Sequence, residues 1–238
     1  AERLSRLMKL TKRLAAVCGE LEKCDTFADV GCDHGYCTLY MLENGLCRTA
    51  QISDISAKSL KKAQALLSAY IAEGRVCPVV CDGLAGVDRG TEQVLIAGMG
   101  GGLTIRILSE GEPLLSGFRE LILEPQSDID RVRAWLLEHG FFLAQENFVE
   151  EDGKYYPILR AVPGEKENLK AEELFYGPRL LEKENPVLRE YLLKQQEQNQ
   201  TLIRQLSDHS SEKAAQRLWE LKEKEAVLES ALARFHTM

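Results

Sequence analysis

The run Phe27-Ala28-Asp29-Val30-Gly31-Cys32-Asp33-His34-Gly35-Tyr36 limits what this chain can fold into more than any other stretch. Phe27, Ala28 and Val30 read as the end of a short buried strand. Gly31 and Gly35 then permit a tight turn with little side-chain bulk, and a helix is predicted from Thr38. About 20 residues after the turn, Asp54 closes the next predicted strand, the spacing of an acid that grips a ribose diol. Such a turn lets a ligand come close to the backbone.

The same alternation continues along the chain. Strands are predicted near Thr26–Val30, Ala50–Asp54, Val76–Val80, Gln93–Ala97, Glu120–Glu124, Phe142–Val149 and Tyr155–Ala161. Helices fill the gaps near Thr38–Glu43, Ser56–Glu73, Leu103–Glu110 and Asp128–His139. Strands that alternate with helices predict a parallel sheet covered on both faces. Only Glu151-Asp152-Gly153-Lys154 separates the last two strands, so they form an antiparallel hairpin. The expected fold class is α/β: a Rossmann-like sheet, mostly parallel, finished by an antiparallel hairpin strand.

Beyond Pro163-Gly164 the composition turns to Glu, Lys, Gln and Leu, which sets expected domains at 1–163 and 164–238. Leu188, Leu192, Gln195, Asn199, Leu202 and Leu206 recur at steps of four and three. So do Ala214, Leu218, Leu221, Glu225, Leu228, Leu232 and Phe235. Ser207-Asp208-His209-Ser210-Ser211 between them supplies a turn with capping side chains. The pattern predicts a helical coiled-coil hairpin. Folding about that turn sets Leu206 near Ala214, Leu202 near Leu218, and Gln195 near Glu225 as a polar pair that fixes register.

Composition narrows the function classes. The 238 residues are 45% apolar and 28% charged, ordinary for a globular protein, and no apolar run approaches the ~20 residues of a membrane span. No signal-peptide pattern is present, and Ala1 in place of Met is not the expected natural start. A cytoplasmic protein is expected. Its seven Cys are odd in number and form no CxxC pair, so reduced thiols are expected. A zinc site built on Cys32, Cys37 or His34 fits no closed tetrahedral spacing, and no metal is expected.

The net charge of −7 leaves room for a local basic patch. Leu4, Leu7, Leu10, Leu14 and Val17 give the opening segment one apolar helical face. Arg3, Arg6, Lys9, Lys12 and Arg13 give it a basic one. That face reads either as a plain solvated surface or as a phosphate contact. Arg106, Arg131, Arg133 and Lys154 are further candidates for a phosphate backbone.

The candidate site lies at the ends of successive strands, where such sheets bind ligands. Asp33 stands where a dinucleotide loop carries its middle glycine, and Asp29 is close by. Two carboxylates repel a pyrophosphate and attract a cation. S-adenosylmethionine, with its sulfonium and ammonium, therefore fits better than NAD. Asp82-Gly83 after the third strand supplies an acceptor for an adenine amine. Ile96-Ala97-Gly98-Met99-Gly100-Gly101-Gly102 closes the fourth strand, where the glycines expose backbone N–H groups and leave room for a flat group, and Gln126 after the fifth could bond a base edge.

These runs resemble one family. Asp29-Val-Gly-Cys-Asp-His-Gly-Tyr36, Asp82-Gly83-Leu84, Ile96-Ala-Gly-Met-Gly-Gly101 and Glu151-Asp-Gly-Lys154 are similar to the bacterial tRNA adenine-N1 methyltransferases that modify adenine 22. Leu7-Met-Lys-Leu-Thr-Lys-Arg-Leu14 resembles their basic first helix, and the helical hairpin their C-terminal module. Pro125-Gln126 departs from the family's Pro-Asn, and Cys32 from its Ser or Thr. The resemblance implies methyl transfer from S-adenosylmethionine to adenine N1 of tRNA. Donor-binding roles then fall to Asp29, Gly31, Asp33, Gly35, Asp54, Asp82 and Gly83, and target-pocket roles to His34, Tyr36, Gly98, Met99 and Gly100. A methyltransferase for another acceptor and a non-catalytic RNA-binding module remain alternatives. No protein partner is required, since the hairpin seam is satisfied internally.

Overall fold

A computed structural model describes residues 10–207 and 212–236. Arg3, Arg6 and Lys9 of the basic face, Leu4 and Leu7 of the apolar one, and Asp208 to Ser211 of the hairpin turn lie outside the described residues. The chain divides into two compact units, Ala1–Glu167 and Asn168–Met238.

The first unit opens with helix α1 (Lys12–Gly19), whose N-cap Thr11 accepts the Leu14 N–H through Oγ1. Then follow β1 (Cys24–Val30), α2 (Tyr36–Glu43), β2 (Cys47–Asp54), α3 (Ala57–Leu66), α4 (Ser68–Ala72) and β3 (Val76–Val80). After these come β4 (Gln93–Met99), α5 (Gly101–Glu110), α6 (Glu112–Leu115), β5 (Glu120–Pro125), α7 (Ile129–Glu138), β6 (Phe141–Glu151) and β7 (Lys154–Pro163).

The seven strands form one sheet in the order β3-β2-β1-β4-β5-β7-β6. β1 to β5 are parallel to their neighbours, and β7 runs antiparallel to both β5 and β6. Strand order reverses between β1 and β4, so the crevice at their carboxyl ends is the expected place for a ligand. β5 is buried along its whole length. Its Leu121, Ile122 and Leu123 each contribute about 1.5–3 kcal/mol by leaving water. Two glutamates bound that apolar run, Glu120 and Glu124, and both are buried.

The single helix expected over Ser56–Glu73 is two helices, broken at Leu67. Leu67 is wholly buried, and its Cδ1 lies 2.9 Å from where a side chain on Gly35 would start. The break thus turns an apolar residue under the glycine loop, a tertiary demand that local helix propensity does not register.

The second unit contains α8 (Ala171–Tyr176), α9 (Pro178–Glu182), α10 (Pro186–Ser207) and α11 (Glu212–Leu232). Leu188 and Leu192 of α10 are buried, as are Leu221, Leu228 and Ala231 of α11. The polar pair in the seam differs from the sequence expectation. Asn199 Nδ2 donates to Glu225 Oε2 at 3.0 Å, while Gln195 donates to Gln198 on its own helix. Leu202, expected in the seam, is 42% exposed. The polar partner of Glu225 is thus the seam residue one turn further along α10 than the sequence pattern suggests.

Candidate active site

β1 runs straight into the first glycine loop. Gly31 and Gly35 both take positive φ, +76° and +77°, which favours glycine. The Gly31 and Cys32 N–H groups both donate to the Ser53 carbonyl at the end of β2, at 2.8 Å each. Beneath the loop, Asp29 is buried and accepts from Thr38 Oγ1 at 2.9 Å. Burial pushes the Asp29 carboxyl up, and bonds from the Thr38 and Cys32 side chains and the Thr38 N–H pull it back. Its anchoring of the loop therefore uses two side chains as well as a backbone group.

Asp33 and His34 project from the loop. His34 Nδ1 lies 2.9 Å from Asp33 Oδ2, and Lys62 Nζ lies 3.0 Å from Oδ1. A carboxylate only accepts, so the contact places an N–H on His34 Nδ1. The His34 and Tyr36 rings stack, 5.5 Å between centroids and 15° apart.

Next along the rim, Asp54 ends β2. Its Oδ1 accepts the Ser56 N–H at 2.7 Å, and its Oδ2 makes no bond among the described residues. Ile55 is 68% exposed and Val80, opposite Asp54 in register, is 56% exposed. Two exposed apolar side chains beside an acid suit a ring system with a diol attached. Asp82, past the end of β3, holds Arg106 of α5 through both oxygens, at 3.0 and 3.1 Å. That pair lowers the Asp82 carboxyl below its ordinary value. It is open to solvent, so it can give way to another donor at little cost.

The fourth loop departs from the sequence reading. Gly98, also at positive φ, does not offer its N–H to a ligand: it donates to Glu124 Oε2 at 2.7 Å. Gly101 N–H likewise goes to Ser127 Oγ. Met99 lies across the rim onto Gly31, so close that a Cβ there would collide with its Cε. Gly31→Ala is therefore expected to cost about 1–3 kcal/mol through backbone strain and that collision, read as a lowered Tm.

Two basic residues read as phosphate contacts are committed elsewhere. Arg13 turns inward: Nη1 lies 3.2 Å from the wholly buried Glu124, and the guanidinium covers the Tyr156 ring. Arg133 is 1% exposed and paired with the buried Glu146 at 2.8 Å. Buried carboxylates claim both cations. Arg106 is held by Asp82 and Glu110, Lys12 is exposed with its Nζ 3.8 Å from Glu150 Oε2, and Arg131 and Lys154 are exposed. Sequence reasoning missed Glu124, because a Glu closing an apolar strand looks like the first solvent-facing residue. Among the described residues no group of three His, Cys, Asp or Glu could hold a metal ion, and no helix is long and apolar enough to cross a membrane.

The strand order is that of a Rossmann-like class I methyltransferase. Residues 27–230 match the family described as tRNA (adenine(22)-N(1))-methyltransferase, and the chain belongs to that family. It is 29% identical over 233 residues to the Bacillus subtilis tRNA (adenine(22)-N(1))-methyltransferase, covering 94% of this chain and 98% of that one. The crystal structure of the B. subtilis enzyme superposes with a TM-score of 0.85 at 28% identity, over 95% of this chain and 100% of the other. Streptococcus pneumoniae Sp1610 in complex with S-adenosyl-L-methionine gives a TM-score of 0.82 at 28% identity, over 94% and 99%. S-adenosylmethionine is the methyl donor of the family.

Proposed function

We propose that this chain methylates N1 of adenine 22 in tRNA at the carboxyl rim of its sheet, with donor and target on the two sides of the Gly31–Met99 contact. The observation that carries this reading is that contact. It joins the glycine loop after β1 to the end of β4, where the second glycine loop begins.

On the donor side, Gly31 and Gly35 let the ligand approach the backbone, and Asp33 takes the methionine end in place of Lys62. Asp54 Oδ2 binds the ribose, with Ile55 and Val80 flanking the adenine. Asp82 accepts the adenine amine, and Gly83 clears space beside it. Asp29 stays beneath, holding the loop. When bound, S-adenosylmethionine supplies an electrophilic methyl carbon.

On the target side, Gly98, Met99 and Gly100 form a wall for the base. The stacked pair of His34 and Tyr36 takes the other side of the base in this reading, with His34 Nε2, in the neutral ring, accepting from the exocyclic amine. Adenine N1 carries its own lone pair, so the chain supplies alignment and exclusion of water and no covalent intermediate. N1 is a pairing edge, and the base must leave its stack to arrive. Lys12 meets the phosphate backbone, with the basic residues before it. The unit up to Glu167 binds the donor, and the helical unit from Asn168 grips a second part of the tRNA.

Incubation with unmodified tRNA and labelled donor, followed by nuclease digestion and mass mapping, tests the reading. The expected product is 1-methyladenosine at position 22. Transfer to another acceptor, or binding without transfer, overturns it.

A further inference from the structure

Glu124, next to last in β5, has no part in the roles above. Its side chain is wholly buried at the carboxyl rim. Oε2 accepts from the Gly98 N–H at 2.7 Å and from Arg13 Nη1 at 3.2 Å. Oε1 is buried too, with no hydrogen-bond partner among the described residues. A buried, half-satisfied carboxylate is costly to keep in a fold, and an apolar residue would close the strand without that cost.

Two features of the same spot make use of it. β4 shifts register against β5 between Ala97 and Met99, and Gly98 sits in that irregularity at φ +77°. Glu124 therefore holds the backbone of the pocket wall where the strand is irregular. Beside the bare Gly98, the nearest side-chain atoms are Arg13 Nη1 and Gln126 Nε2, 3.8 and 3.9 Å from where a Cβ would stand. A guanidinium thus lies at the wall against which a base is to become a cation. Left alone, its charge would oppose that change, and a carboxylate in contact with it cancels the opposition.

We propose that Glu124 is a positioning residue for methyl transfer: it fixes the Gly98 irregularity and neutralises Arg13, so that the wall meets the target base in one shape and without net positive charge. This rests on the reading of Gly98 to Gly100 as the target wall. Three further contacts surround the clamp. Arg13 stacks over Tyr156, its N–H donates to Glu151 Oε1, and Gln126 N–H donates to the Met99 carbonyl.

The clamp needs the carboxylate form. Burial pushes the Glu124 carboxyl above its ordinary range, opposed by the Arg13 charge from α1 and the Gly98 N–H from β4. Tyr156 and Glu151 of the β6–β7 hairpin meet Arg13. Transfer is therefore expected to fall as pH drops through that raised value.

The test is single-turnover methyl transfer to unmodified tRNA by the full-length protein at saturating donor and tRNA, across pH. Calorimetric donor affinity and Tm are measured alongside. Glu124→Gln keeps the volume and removes the charge. Its rate is expected to fall about 100-fold with donor affinity unchanged, and the acidic limb of the profile to vanish. An unchanged rate, or a fall matched by lost donor affinity, overturns the proposal. If Glu124→Gln does not fold, Glu124→Asp keeps the charge and draws the carboxylate back from the Gly98 N–H by one methylene. There a fall of about tenfold is expected, the loss of one charge-assisted hydrogen bond, and an unchanged rate overturns the proposal. A wild-type protein that transfers no methyl group overturns both this inference and the proposed function. An active wild type with an equally active Glu124→Gln overturns this inference alone.

Discussion

Asp54→Ala is expected to weaken S-adenosylmethionine binding by about 100-fold or more. A carboxylate that accepts from both hydroxyls of a ribose makes two charge-assisted hydrogen bonds, each worth about 1.5–3 kcal/mol, and every 1.4 kcal/mol is about tenfold in affinity. The geometry adds a second, smaller loss. Asp54 Oδ1 caps the Ser56 N–H where α3 begins, so the Ala variant also loosens that turn by about 1 kcal/mol. Asp54→Asn separates the two effects. Its side-chain oxygen still accepts from Ser56, and only the charge toward the ribose is gone. Titration calorimetry of the three proteins reads the difference, and equal affinity in the Ala variant would remove Asp54 from the donor site.

Arg133→Met is expected to be the most damaging substitution away from the rim. The guanidinium and the Glu146 carboxylate are both sealed inside the first unit, Nε to Oε1 at 2.8 Å. Removing one partner leaves the other charge buried without its counter-charge, at a cost of about 3–5 kcal/mol. For a unit of this size that is about 10 °C in Tm. Replacing both, Arg133→Met with Glu146→Leu, is expected to recover most of the loss, since a buried ion pair gains little over apolar packing. Thermal melts of the two variants check this. A single variant that melts like the wild type would mean the pair contributes nothing.

Such buried charges mark where reading the sequence stops. The strands were legible because each is a short apolar run between turn residues, and those runs stand within a few residues of the observed β1 to β7. The final antiparallel pair followed from a four-residue connection. The loop after β1 was legible because two glycines within five residues demand positive φ. The placement of Asp54 at the end of one strand came from its spacing to the glycine turn, and that of Asp82 from its place just after the next. Arg13 and Arg133 were not legible as interior residues. Their partners, Glu124 and Glu146, lie 111 and 13 positions away, and nothing local to either arginine marks it as buried. The break at Leu67 and the Asn199–Glu225 pair fall in the same class.

By itself the sequence determined the order of the elements, the hand-over from strand to glycine loop, and the acids at the rim, because each is written in residues within a few positions of one another. Which cations face inward, which glycine N–H is already spent, and which turn of one hairpin helix meets the other were decided only by tertiary structure. Those outcomes depend on desolvation and on partners distant in the chain, and a buried charge accepts whichever counter-charge the packing brings to it.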